Sequence, residues 1–260
     1  MRIGLITTNY VMVNGFKMHI DPTDALELKS NKTFEKFETE LVKKEIAKGD
    51  IVLDIGANIG YFTLIFSQIV GKDGRVYAFE PDPNNFEILK KNIEINNIKN
   101  VILIQKAVSN TSKPLSLYLC DYNHAQHRIY PSSRCNEKID VESTTIDEYL
   151  AGTEFFNKIN FVKMDVEGSE YDAIDGMKKT LQSNLSLKML CEFSPKQIQE
   201  RGLQPQDILN QLLNHNFKIY PITTAGEKII PIDYSKSTVD EIMKIGHGLN
   251  LFCVPANHSL

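Results

Sequence analysis

The chain has 260 residues, 42% of them hydrophobic, enough to bury one large core near the upper end of single-domain sizes. Its 29 basic side chains stand against 33 acidic ones for a net charge of −4, so no broad positive field exists to grip a phosphate backbone, and no nucleic-acid partner is expected. No run of about 18 apolar residues occurs, and the opening MRIGLITTNY lacks a signal-peptide core, so the expectation is a cytoplasmic protein, open to homo-oligomer formation, with no membrane contact.

The first 48 residues predict a hairpin over 11–20 and a helix over 34–47 that ends at Gly49, the two together covering a cofactor site. Residues 49–260 then form the main domain. From Ile51 onward, short β-rich runs alternate with longer helical patterns, the mark of βαβ units feeding a parallel sheet. Strands are predicted over 51–55, 75–79 and 101–105, with helices over 59–70 and from Pro83, the latter capped by Asp82. A β-rich excursion over 115–143 has strands at 115–119 and 139–142 around a polar loop, 121–134. Thr145 to Glu148 has capping-box spacing, and so does Ser169 to Asp172, which should open a helix turning Ile174, Met177 and Leu181 inward. Strands over 161–164, 186–193, 217–222 and 249–254 and a helix over 205–215 complete the set. Cys120, Cys135, Cys191 and Cys253 show no paired spacing, and the expectation is four reduced thiols with no disulfide framework and no zinc.

The sharpest motif is Asp54-Ile55-Gly56-Ala57-Asn58-Ile59-Gly60, where a strand ends and a helix begins. Glycines there allow a tight turn and close approach of a ligand to the free N–H groups of the helix start. A dinucleotide fingerprint would need glycine at 58 and 61, where Asn58 and Tyr61 stand, so an NAD-dependent oxidoreductase is the lesser alternative. An acid at the strand end also suits a sulfonium-bearing cofactor with an amino group better than a pyrophosphate. Glu80, followed by Pro81, closes the second strand 24 positions after Gly56, about the separation at which a carboxylate reaches ribose hydroxyls.

A third motif, Lys163-Met164-Asp165-Val166-Glu167-Gly168, closes the strand over 161–164. Asp165 and Glu167, two apart in extended chain, should point the same way and form a carboxylate pair at the reacting centre, with Glu192 completing an acidic rim. Either of the pair, or His127 in the polar loop with His124 and Arg128, could take a proton from an acceptor hydroxyl, and the same loop could bind an acceptor phosphate or carboxylate. The three acids could also hold a hard cation such as Mg²⁺; the reading adopted from sequence carries no metal. Should the acids be idle, a non-catalytic cofactor binder is the remaining alternative.

With these segments in view, and with Ala107-Val108-Ser109 and Thr144-Thr145-Ile146-Asp147, the sequence resembles the FkbM-type family of S-adenosylmethionine-dependent methyltransferases over about 31–222. The resemblance implies an α/β, Rossmann-like class I methyltransferase fold, with helices on both faces of a seven-stranded, mostly parallel sheet of order 3-2-1-4-5-7-6. It also implies that Asp54, Gly56, Asn58 and Gly60 wrap the methionine part of S-adenosylmethionine, Glu80 and Pro81 its ribose, and Lys106, Ala107 and Val108 its adenine. Family members typically O-methylate small molecules or saccharides, so an acceptor of that class is implied.

Overall fold

A computed structural model describes residues 10–120, 123–131, 135, 137–222 and 248–257. Seven strands form the central sheet: β1 (Ile51–Ile55), β2 (Arg75–Phe79), β3 (Val101–Ile104), β4 (Ile159–Met164), β5 (Lys188–Phe193), β6 (Phe217–Ile222) and β7 (Leu249–Pro255). Their order is β3-β2-β1-β4-β5-β7-β6, and only β7 runs against its neighbours. The implied fold and strand order are those found.

The sheet is covered on both faces, which is why β1 reads as the unbroken run Ile-Val-Leu-Asp-Ile with every residue buried. Alternation divides that run. Ile51, Leu53 and Ile55 join Phe79, Val162, Met164 and Met189 under the helices that carry Ile146, Ile174 and Ile208. Val52 faces the other way with Val76, Phe161 and Phe252, against three helices: α1 (Lys36–Glu45), α2 (Tyr61–Val70) and α3 (Pro83–Ile95). Asp82 caps α3 as its sequence position suggests, accepting from the N–H groups of Asn84 and Asn85.

The N-terminal segment is tied to the second layer by side chains rather than by a sheet edge. A hairpin pairs Val11–Val13 with Phe16–Met18. Asn92 on α3 accepts from His19 N–H at 2.6 Å and donates to His19 O at 2.9 Å. The Tyr61 hydroxyl accepts from Asn14 Nδ2 at 2.9 Å and from Phe34 N–H at 3.1 Å, and lies 3.1 Å from the Thr39 hydroxyl. One phenol on α2 thus joins the hairpin, the following loop and α1.

Two expectations are corrected. The segment after Ser169 is two short helices, Glu170–Asp175 and Lys178–Ser183, and Ser169 caps nothing. A Cβ on Gly176 would stand 2.0 Å from Ser109 O, so the chain presses against its neighbour at the break, while Glu170 accepts from Val166 and Gly168 N–H in the turn before the helix. Asp172 turns away to pair with Arg201. Ile174, Met177 and Leu181 still reach the core.

The second correction concerns cysteine: Cys120 and Cys135 form a disulfide, while Cys191 and Cys253 are free and buried. Strands Leu115–Leu119 and Glu137–Val141 pair antiparallel with Leu119 opposite Glu137, and just beyond that pair Cys120, one position on, and Cys135, two positions away on the other strand, come together at 4.3 Å between Cα atoms. Spacing along the chain could not show this register. The insertion over 223–247 and part of the 121–134 loop lie outside the described residues. Among the described residues no helix is long and apolar enough to cross a membrane.

Candidate active site

The carboxyl ends of β1, β2, β4 and β5 open into one solvent-accessible cleft. All the acids singled out from sequence line it, as do Gly56, Asn58, Pro81, Ala107 and His127; Gly60 lies one turn behind, packed on Leu89. A crevice outside the strand ends at the reversal of strand order is where open α/β sheets bind ligands.

Gly56 (φ +82) forms the bend after β1, and a Cβ there would stand 1.8 Å from Asp165 O. Only glycine lets the β1 turn lie against the end of β4, where Asp165 N–H donates to Ile55 O. Gly60 (φ +93) begins α2, and its Cβ would meet Leu89 at 2.5 Å. Asn58 is also left-handed (φ 50), and its Oδ1 accepts from Ile59 N–H at 2.7 Å.

Glu80 braces this turn. Its Oε2 accepts from Asn58 N–H at 2.8 Å and its Oε1 from Asp82 N–H at 2.9 Å, each oxygen keeping further acceptor capacity. Burial pushes Glu80 up to about 8, against the two backbone donors that favour its ionised form. Asp54 accepts from the Thr63 hydroxyl at 2.5 Å, while its other oxygen is buried without a partner. Burial raises Asp54 to about 6, and Lys163 opposes that rise.

Across the cleft, Asp165, Glu167 and Glu192 each bring a carboxylate oxygen within 4.8 Å of the others. Lys163, buried on β4, lies 2.9 Å from Asp165 Oδ2 and 4.8 Å from the Phe62 ring centre. Burial pulls this lysine down, but Asp165, Glu35 and Asp54 hold it above its ordinary value as a fixed cation. Glu167 takes a left-handed backbone (φ 54), accepts from Gln197 Nε2 at 2.5 Å and lies 3.9 Å from buried Arg128. Burial, then Asp165, pushes Glu167 up to about 8. Glu192 is raised well above the carboxylate range by burial and then by Glu167 and Asp165.

His127 and Arg128 reach the cleft on the segment beside the disulfide. His127 Nδ1 accepts from Cys120 N–H at 3.0 Å, and Asn85 Nδ2 fastens the segment by donating to His124 O at 3.0 Å. Leu26, Phe34 and Glu35 line the opposite wall. Burial, opposed by Lys163, raises Glu35 to about 7, and Asn250 on β7 donates to it at 3.2 Å.

Sequence reading gave no role to Lys163 or Glu35, and gave the buried Ser169 only that of a helix cap. Lys163 stood in plain view inside the third motif, and its apolar neighbours Val162 and Met164 were the available sign of a buried cation. Glu35 had no such sign, because its partners lie far along the chain.

Comparison with known proteins shows the family. The family model for the methyltransferase FkbM domain matches residues 54–219. A protein from Beauveria bassiana named Methyltransferase 1 is 24% identical over 171 residues, covering 55% of this chain and 68% of that one. The hexuronic acid methyltransferase of Haloferax volcanii is 28% identical over 148 residues, 55% of this chain and only 56% of that protein. A crystal structure from Clostridium thermocellum, provisionally described as an rRNA methylase, superposes with a TM-score of 0.50 at 12% identity, over 84% of this chain and 95% of the other, a likeness of fold alone. No NAD-dependent reading survives the family match, and the cofactor is S-adenosylmethionine. The chain belongs to the FkbM methyltransferase family and is an S-adenosylmethionine-dependent methyltransferase.

Proposed function

We propose that the protein O-methylates a hydroxyl of a small-molecule or saccharide acceptor. In this reading Asp54, Gly56, Asn58 and Gly60 cradle the methionine end of S-adenosylmethionine, Glu80 and Pro81 hold its ribose, and Lys106, Ala107 and Val108 flank its adenine. The residues fit that group: Gly56 lines the cleft at the bend after β1, and the unpartnered oxygen of Asp54 can accept from an ammonium. The bound cofactor supplies an electrophilic methyl group on a cationic sulfur, which an acidic cleft stabilises. The segment over 1–48 is a cover for this half, with Leu26, Phe34 and Glu35 on its inner wall.

The observation that carries the reading is the meeting of Asp165, Glu167 and Glu192 at the far end of the same cleft. An acceptor hydroxyl must lie in line with the methyl group and lose its proton to a nearby base; Glu167, pushed up to about 8 by burial, is matched to that transfer, and Asp165 stands beside it. Asp165 and Glu167 take that role. His127, whose Nδ1 is held by Cys120 N–H, contacts the acceptor through its other edge. Arg128, buried beside Glu167, and the hexuronic acid substrate named for the Haloferax relative together favour an acceptor sugar that bears a carboxylate.

The test is transfer of a labelled methyl group from S-adenosylmethionine to a panel of saccharides that includes uronic acids. An ether product that survives mild alkali is expected. Label found only on amines, or as an alkali-labile ester, overturns O-methylation of a hydroxyl.

A further inference from the structure

We propose that Asp165, Glu167 and Glu192 form a binding site for one hard divalent cation, Mg²⁺ or Mn²⁺, at the acceptor end of the cleft. The inference reverses the metal-free expectation from sequence and rests on the methyltransferase reading of the same cleft. Register creates the site. Met164 on β4 pairs with Cys191 on β5, so Asp165 and Glu192 follow side by side, and Glu167 returns to them through its left-handed backbone. One oxygen from each then lies within 4.8 Å of the others, so a small rotation of these side chains gathers all three around a single ion.

Side chains of the protein do not neutralise this group. Lys163 reaches Asp165 but also answers the charge of Glu35 and Asp54, and Arg128 is shared between Glu167 and Glu200. A second observation is independent of the acidic trio. Ser169, 1% exposed, faces the same cleft with a hydroxyl that has no hydrogen-bond partner. Glu192 Oε2 is likewise sealed from water and unpartnered. Buried oxygens without donors are rare in a folded chain, and a cation satisfies them.

The donor set selects the kind of ion. With oxygen ligands and no thiolate or imidazole, it favours Mg²⁺ or Mn²⁺ over zinc or copper. Three carboxylates leave about three of six positions for water and acceptor oxygens. Two neighbouring hydroxyls of a saccharide fit that vacancy, and coordination would lower the pKa of the one to be methylated.

The experiment is titration of Mn²⁺ alone into the full chain, reading free Mn²⁺ by electron paramagnetic resonance, beside calorimetry with S-adenosylhomocysteine on the same samples. One Mn²⁺ per chain, displaced by Mg²⁺, is expected. Glu192→Gln and Glu167→Gln should each weaken it at least about tenfold, whereas Asp73→Asn, at an exposed position, should leave it unchanged. Melting curves establish that each variant is folded; if Glu192→Gln is not, Glu167→Gln decides alone. Absent or substoichiometric binding, or binding that neither glutamine substitution alters, overturns the proposal. Retained S-adenosylhomocysteine affinity in that case rejects the cation only; its loss in the unaltered chain rejects the methyltransferase reading as well.

Discussion

The two halves of the cleft are built by different means. On the side of β1 and β2 the geometry is local: a glycine bend, a left-handed asparagine and a glutamate whose oxygens accept backbone N–H groups within a few residues of the turn. On the side of β4 and β5, acids from separate strands face an N-terminal glutamate and a disulfide-bound segment, and several of their atoms have no partner. The first half is braced by backbone N–H groups and leaves one oxygen of Asp54 to be met, which suits a cofactor that never varies. The second is held open by unmet charge, which suits a reacting centre whose occupant completes it.

This contrast can be broken at its joint. Gly56→Ala places a methyl group against Asp165 O, where β1 and β4 meet, and forces a left-handed backbone on alanine. We expect a loss of about 3 kcal/mol or more of stability, read by chemical denaturation, with S-adenosylhomocysteine binding lost in calorimetry. A variant of normal stability would show that the two halves do not depend on this close approach.

Asp165→Asn addresses the open half alone. It should slow methyl transfer by about 10²–10⁴-fold in kcat while leaving S-adenosylhomocysteine affinity near the parent value. Full activity would remove Asp165 from the chemistry, and a large fall in affinity would move it into the cofactor socket. Glu80→Gln makes the converse cut: cofactor affinity should fall by about 1–3 kcal/mol through weakened charge-assisted hydrogen bonds. The turn should survive, because the amide oxygen can still accept one of the two backbone N–H groups.

The last effect is a pH slope common to both halves. Glu80 and Glu167 sit near 8 in the folded chain against an ordinary 4.5, so between these values the folded state holds protons that the unfolded state has released. Their contribution to stability is complete below about 4.5 and is lost as pH rises through about 8. The Tm of the ligand-free protein should therefore fall between about pH 5 and pH 8.5. A rise over that range would mean that these acids are ionised and paired.

The same contrast decides what the sequence made legible. Asp54, Gly56, Asn58 and Glu80 belong to one strand-turn-helix and the next strand end, and a ligand turn of this kind is written in consecutive residues. Asp165 and Glu167 do meet, but not by the extended-chain alternation that the sequence suggested: β4 ends at Met164, and Glu167 comes back to Asp165 through a left-handed turn (φ 54). Their meeting with Glu192 depended on β4 pairing with β5, and Glu35 entered only because α1 packs over α2. The disulfide needed the hairpin register of Leu119 with Glu137, which no cysteine spacing contains. Ser169 has capping spacing and stands at the start of the helix, yet its hydroxyl makes no capping bond and has no partner.

The most direct measurement is a crystal structure of the chain with S-adenosylhomocysteine. The account predicts its ribose hydroxyls on the Glu80 carboxylate, its amino acid end over the Gly56 bend and its sulfur turned towards Asp165 and Glu167. A ligand bound elsewhere, or one whose sulfur faces away from those two acids, would contradict it.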